Sequence, residues 1–241
     1  MQIGGKTILV TGGTDGIGLQ LIRQLKAKGA ILITSGRTPE RIAAVQAEGF
    51  EVIAADLTTQ QGVDTLIAGV AGRVIDIIVN NAGSGSDHDF RDDAAIDLGE
   101  NDACIFLNLN APVHLITRLM PVLRGRPEAM IVNVTSGLAI APRAGGPIYC
   151  ATKAGLRSYT KALRAQLVGT NIHVMEALPP VVDTKMTAGR GSKKMSAADC
   201  AAAFVRGIET NADEANVGLV KILKLVHSIS PALAGKIMLR F

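Results

Sequence analysis

The sequence has no tryptophan, and its five phenylalanines and two tyrosines leave aromatics at 3% of 241 residues. Recognition by aromatic stacking is therefore not expected, and Val, Ile, Leu and Ala must fill the interior. Cysteine is scarce too. Cys104, Cys150 and Cys200 are odd in number and far apart, with no Cys-x-x-Cys pair. That pattern excludes a disulfide framework or a zinc knuckle and predicts buried thiols. His88, His114, His173 and His227 are scattered, so no metal site is expected, and only His88 falls where a substrate mouth would lie. No uninterrupted apolar run approaches the roughly 18 residues of a membrane span, and a strand begins soon after Met1 without a signal sequence, which predicts a soluble cytoplasmic protein. No repeat or low-complexity linker breaks the chain, whose length suits one domain, 1–241.

The net charge of +4 is unevenly spread. Residues 1–184 carry 16 Lys and Arg against 17 Asp and Glu, whereas residues 185–241 carry 9 against 4. No nucleic-acid partner is expected. In the basic tail, about 218–241, Lys221, Lys224 and Ser228 form a narrow polar stripe on an otherwise apolar helix, followed by Pro231 and a second apolar stretch. Such a tail is expected to pack over the substrate pocket, with a membrane-surface or subunit contact as the alternative. Seven acidic residues between Asp87 and Asp102 read as a solvated loop and helix start rather than as a device steering cationic substrates.

Glycine is plentiful where it matters. Thr7–Val10 reads as a buried strand and residues 17–25 as a helix with apolar positions at i, i+4 and i+8, joined by Thr11-Gly12-Gly13-Thr14-Asp15-Gly16-Ile17-Gly18. Glycines let the chain turn sharply and let a pyrophosphate approach the backbone, while the first N–H groups of the helix supply donors and partial positive charge. Gly12, Thr14, Asp15, Gly16, Ile17 and Gly18 are thus the candidate phosphate cradle of a dinucleotide. About 20 residues on, after a second strand at 30–34, Arg37 stands where an acidic residue would bond the ribose hydroxyls of NAD. A guanidinium there grips a 2′-phosphate, so NADP is expected over NAD, with the Asp15 carboxylate opposing that phosphate if it faces the same pocket.

Further strands are expected at 51–55, 75–79, 129–134 and 171–177, with helices between them. This alternation of six strands with helices predicts an α/β fold, a doubly wound, mostly parallel sheet with helices on both faces, which a further strand near the C-terminus is expected to make seven-stranded. Ligands of such a sheet lie beyond the carboxyl ends of the strands. Tyr149 and Lys153 share one helix face through their spacing of four, and a fixed cation beside a phenol favours the phenolate, which makes an acid and base pair.

Joined to the glycine loop, Asp56-Leu57, Asn80-Asn81-Ala82-Gly83, Asn108, Ser136, Tyr149 and Lys153 follow in an order that resembles the short-chain dehydrogenase/reductase family over essentially the whole chain. Residues 179–186, 217–225 and 231–234 resemble a bacterial subgroup associated with the D-alanylation operon. The resemblance implies a catalytic set of Asn108, Ser136, Tyr149 and Lys153, with Asn108 chosen over Asn110 because it fits the family's Asn-Leu-x-Ala pattern. It implies that Asp56 and Leu57 contact adenine, that Asn81, Ala82 and Gly83 flank the adenosine side, that Tyr149 and Lys153 hold the nicotinamide ribose, and that Val182 and Thr184 lie beside the nicotinamide. Pro180 replaces the usual glycine there and stiffens the backbone. Asn108 would support a water relay through Lys153. A substrate lid is implied over 184–196, and a homodimer or homotetramer through helices at about 102–123 and 147–168.

The resulting expectation is an NADP-dependent oxidoreductase acting on a carbonyl or secondary alcohol. Ser136 and Tyr149 would bind its oxygen, and Ser84, Leu138, Ala144, Pro147 and Met186 would form a small apolar wall that suits a largely uncharged small molecule. The alternative is a non-catalytic NADP-sensing protein of the same fold. A sugar-nucleotide epimerase or dehydratase would need a larger C-terminal substrate region.

Overall fold

The structure, a computed structural model, describes residues 1–87, 89–91, 96–189 and 193–240. Seven strands, β1 (Thr7–Val10), β2 (Ile31–Gly36), β3 (Glu51–Ala54), β4 (Ile77–Asn80), β5 (Ala129–Val134), β6 (Ile172–Leu178) and β7 (Glu214–Asn216), form one sheet in the order β3-β2-β1-β4-β5-β6-β7. Every pairing is parallel, as in Leu9 beside Ile33 and Ile78. The strands read as continuous apolar runs because both faces are covered. Side chains of period two are shared between two cores. Ile8, Val10, Val79 and Val132 meet helices α1 (Gly16–Ala27), α2 (Pro39–Ala47) and α7 (Ala197–Glu209) through Leu21, Ile22, Val45 and Phe204. Leu9, Ile78 and Ile131 meet α3 (Gln60–Gly69), α5 (Ala111–Arg124) and α6 (Pro147–Gln166) through Leu66, Leu115, Leu119 and Leu163. All three cysteines are buried.

The crossover from β4 to β5 differs from the single helix expected at about 102–123. Helix α4 (Leu98–Ile105) starts earlier because Asp97 caps it, its Oδ1 accepting from Gly99 N at 2.8 Å and Glu100 N at 3.3 Å. A π turn over Phe106–Asn110 then leads into α5, with Ala111 N bonded five residues back to Phe106 O. Pro112 explains the wider turn: it has no N–H to return to the Asn108 carbonyl four residues behind it. The whole run Leu98–Arg124 is long and apolar enough to cross a membrane by length and composition, contrary to the expectation that no segment approaches such a span. Its inner side, with Leu107, Leu115, Leu119 and Leu123 buried, packs as one layer on the sheet.

A chain of ion pairs ties the strand ends behind the cleft. Glu176 on β6 is fully buried and accepts from Thr135 Oγ1 at 2.6 Å and from Arg157 Nη1 at 2.5 Å. Arg157 also reaches Glu214 on β7 at 3.5 Å, and Glu214 pairs with Lys224 of α8 (Val220–Ile229). After Ser230 the chain continues into α9 (Pro231–Met238).

Helix α3 begins under the end of β3, where Thr59 caps Gly62 N at 3.1 Å. A Cβ at Gly62 would lie 1.8 Å from the Asp56 carbonyl oxygen, so backbone must move to admit one. Gly62→Ala is expected to cost about 1–3 kcal/mol in urea denaturation. An unchanged midpoint would show that α3 can shift freely beneath Asp56.

Candidate active site

Strand ends and the loops that follow them enclose a cleft of about 620 Å³. Every residue assigned above to the cofactor lines it, as do Ser136, Tyr149 and Lys153. The glycine loop forms one wall and is held rigidly. Gly13 N donates to Thr34 Oγ1 at 2.9 Å, Gly12 N to Ser35 Oγ at 3.3 Å, and Asn81 Nδ2 to Thr11 O and Gly12 O at 3.0 and 3.3 Å. A Cβ at Gly18 would lie 2.2 Å from Gly12 O, so nothing larger than hydrogen fits between helix and loop. Gly12 and Gly16 have φ of +68° and +54°, the left-handed region that side chains avoid. These features leave backbone facing the cleft at the start of α1, where N–H groups and the helix dipole suit a pyrophosphate.

Asp15 caps α1, its Oδ1 accepting from Gly16 N at 2.8 Å. Its other oxygen lies 2.9 Å from Arg41 Nη1. The carboxylate expected to oppose a phosphate is therefore balanced within the site. Arg37 stands 3.6 Å from Asp56, whose Oδ1 also accepts from Thr58 N and Oγ1. Arg41 was not singled out from the sequence, although it lines the cleft. Its signal is Thr38-Pro39, which starts a helix and sets Arg41 in the first turn beside the glycine loop.

At the other end, Lys153 is buried on α6, with Nζ donating to Val134 O at 2.9 Å and lying 5.9 Å from the centre of the Tyr149 ring. Burial lowers its pKa to about 8, against a smaller raising influence from Cys104. Burial also raises the Cys104 thiol. Ser136 lies two residues past the end of β5, its Oγ accepting from Leu138 N at 3.1 Å at the head of a short 3₁₀ turn.

Asn108 is fully buried and does not line the cleft. Its Oδ1 accepts from Ser84 N at 3.1 Å, and its Nδ2 lies 2.9 Å from Ser84 O, 3.2 Å from Thr152 Oγ1 and 3.2 Å from Cys104 Sγ. Thr152 in turn donates to Tyr149 O at 2.8 Å. Asn108 thus clamps the Ser84 backbone onto the α6 turn that bears Tyr149 and Lys153.

Of the expected substrate wall, Ser84 and Met186 line the cleft, whereas Leu138, Ala144 and Pro147 do not. The lid segment is pinned at its base. Asp183 N donates to Met195 O at 2.8 Å, Met195 N to Val181 O at 3.1 Å, and Lys194 Nζ to Thr187 O at 2.6 Å. Between them Lys185–Thr187 forms one 3₁₀ turn. His88 and residues 190–192, including Arg190, lie outside the described residues. The C-terminal tail does not cover the cleft as expected: none of its described residues lines it, and α8 instead leans on Gly137, where a Cβ would meet Val220 at 3.1 Å.

Residues 6–195 match the short chain dehydrogenase family. The chain belongs to that family. It is 39% identical over 188 residues to an uncharacterized oxidoreductase, DltE, of Bacillus subtilis, covering 76% of this chain and 74% of that one. It is 31% identical to a serine 3-dehydrogenase of Rhizobium radiobacter over 80% of this chain and 78% of the relative. A short chain dehydrogenase from Burkholderia cenocepacia, solved in complex with NADP, shares the fold over 99% of both chains, with a TM-score of 0.88 at 24% identity. This short chain dehydrogenase is accordingly an oxidoreductase of the dinucleotide-binding fold. The family match stops at Met195, so α7, β7, α8 and α9 lie beyond it.

Proposed function

We propose that this short chain dehydrogenase transfers hydride, with NADP as its cofactor, between the nicotinamide and a carbonyl or secondary alcohol of a small, largely uncharged substrate. One observation carries the reading: Ser136, Tyr149 and Lys153 line the same cleft as the phosphate loop and two guanidiniums, Arg37 and Arg41. The side-chain-free approach at Gly12 and Gly18 suits the pyrophosphate, and Asp56, Leu57 and Asn81 to Gly83 suit the adenosine beyond it. Val182 and Thr184 also line the cleft and would flank the nicotinamide. Arg37 and Arg41 are both held by exposed carboxylates, and such pairs contribute at most about 1 kcal/mol, so a 2′-phosphate can draw both guanidiniums to itself.

The bound nicotinamide supplies the hydride. Ser136 and Tyr149 hydrogen-bond the substrate oxygen, and Tyr149 gives it a proton in reduction or takes one in oxidation. Lys153 binds the nicotinamide ribose and favours the Tyr149 phenolate by its charge. Asn108 positions these groups through Ser84 and Thr152. The likeness to a serine 3-dehydrogenase supports an alcohol or carbonyl at the substrate end. The same reading takes the chain as one cytoplasmic domain, acting as a homodimer or homotetramer, with a lid over 184–196 that orders on ligand.

Titration with NADPH and NADH, followed by nicotinamide absorbance against a carbonyl panel, tests the reading. NADPH should bind more tightly and be oxidised by a panel member. Arg41→Ala and Arg37→Ala should each weaken NADPH about tenfold to a hundredfold and leave NADH nearly unchanged, since a hydrogen bond to a charged group contributes about 1.5–3 kcal/mol. Equal affinity for both cofactors would sink the NADP preference, and tight binding without turnover on any carbonyl would favour a sensor.

A further inference from the structure

Seven of the fifteen large apolar side chains exposed among the described residues lie between Leu219 and Leu239, which identifies this short segment as the site of an unusual surface. In α8, Ile222, Leu225 and Ile229 recur at intervals of three and four and so share one face. That face points outward: Leu225 keeps 61% of its surface exposed and Ile229 78%. The inner face is the one that holds α8 to the fold, through buried Val220 against Gly137 and through the Lys224 pair with Glu214. Helix α9 packs beside α8 and adds Leu233 and Ile237, four apart and exposed, while Ala234 is buried. Amphipathic helices of a domain turn their apolar face inward; these two turn a second apolar face out.

Charge decides what covers it. Residues 215–240 contain Lys221, Lys224, Lys236 and Arg240 and no Asp or Glu. Lys224 is engaged by Glu214, but Lys221, Lys236 and Arg240 are exposed beside the apolar face. A second copy set symmetrically on this face would bring like charges together with no acid of the segment to pair them. An anionic lipid surface offers hydrocarbon to the leucines and isoleucines and opposite charge to the cations. Helices of ten and eight residues, interrupted at Ser230-Pro231, are each too short to span a bilayer and fit lying in its plane.

We propose that α8 and α9 form a peripheral anchor for an anionic membrane surface. Flotation of the full chain with phosphatidylcholine vesicles, with and without phosphatidylglycerol, tests this. Binding should be about tenfold to a hundredfold stronger with phosphatidylglycerol and should weaken in high salt. Leu225→Gln/Ile229→Gln and, separately, Lys221→Glu/Lys236→Glu should each abolish flotation, with melting temperatures unchanged because the side chains are exposed. No flotation, or equal flotation with neutral vesicles, would overturn the proposal. So would a concentration-dependent dimer in light scattering that Leu225→Gln/Ile229→Gln dissolves, which would make the face an interface between copies. Flotation reads neither cofactor binding nor turnover, so its outcome is independent of the oxidoreductase reaction.

Discussion

Tyr149→Phe is expected to lower turnover with NADPH by about a hundredfold to ten-thousandfold, the range for losing a positioned general acid. The same variant should bind NADPH within about tenfold of the parent, because a single neutral hydrogen bond contributes only about 0.5–1.5 kcal/mol. The phenol lies on α6 one turn before Lys153, its ring 5.9 Å from the ammonium, and lines the cleft beside Ser136. Stopped-flow binding and steady-state rates on one preparation separate the two quantities. Retained turnover would move the proton to another group, and loss of both turnover and binding would recast Tyr149 as a cofactor ligand only.

That the glycine loop and the residues past successive strands share one cleft was legible in the sequence because these are short local patterns. A glycine turn between a strand and a helix, and residues just past successive strands, have their places set by backbone topology before any side chain packs. Leu57, Asn81 and Val182 reach the cleft in that way. Arg41 was not legible, since its role depends on the pairing of a helical first turn with Asp15, two elements whose contact exists only after β1 and β2 are side by side. Asn108 was found by pattern, but its contacts were not: the π turn before Pro112 buries its amide against Ser84 and Thr152. The tail misled for a physical reason. An apolar stripe shows that a face needs cover but not which of two apolar faces the fold uses, and α8 has both.

Lys153→Met should separate stability from activity. The Lys153 ammonium is buried, donates to Val134 O at 2.9 Å, and has its pKa lowered by desolvation from 10.5 to about 8. Below pH 8 it is charged in both the folded and the unfolded chain, and the full cost of burying the charge is present. Between pH 8 and 10.5 the unfolded chain holds a proton that the folded one has released, so folding becomes more favourable as pH rises. Above 10.5 both are neutral and the cost is gone. The stability of the parent minus that of Lys153→Met should therefore climb by roughly 3 kcal/mol across this window, at about 1.4 kcal/mol per pKa unit. At pH 7 removing the charge offsets the loss of one partner for Val134 O, which costs about 1–3 kcal/mol, and the cofactor-free variant should be as stable as the parent or more so. Turnover should nevertheless fall at least about a hundredfold, because the ribose anchor and the cation beside Tyr149 leave together. Urea denaturation at pH 7, 8, 9 and 10 checks the slope. A difference that stays flat with pH would mean that Lys153 titrates in the fold as it does in water, and a variant much less stable at pH 7 would make Lys153 a structural strut for β5 and not a charge held in place for chemistry.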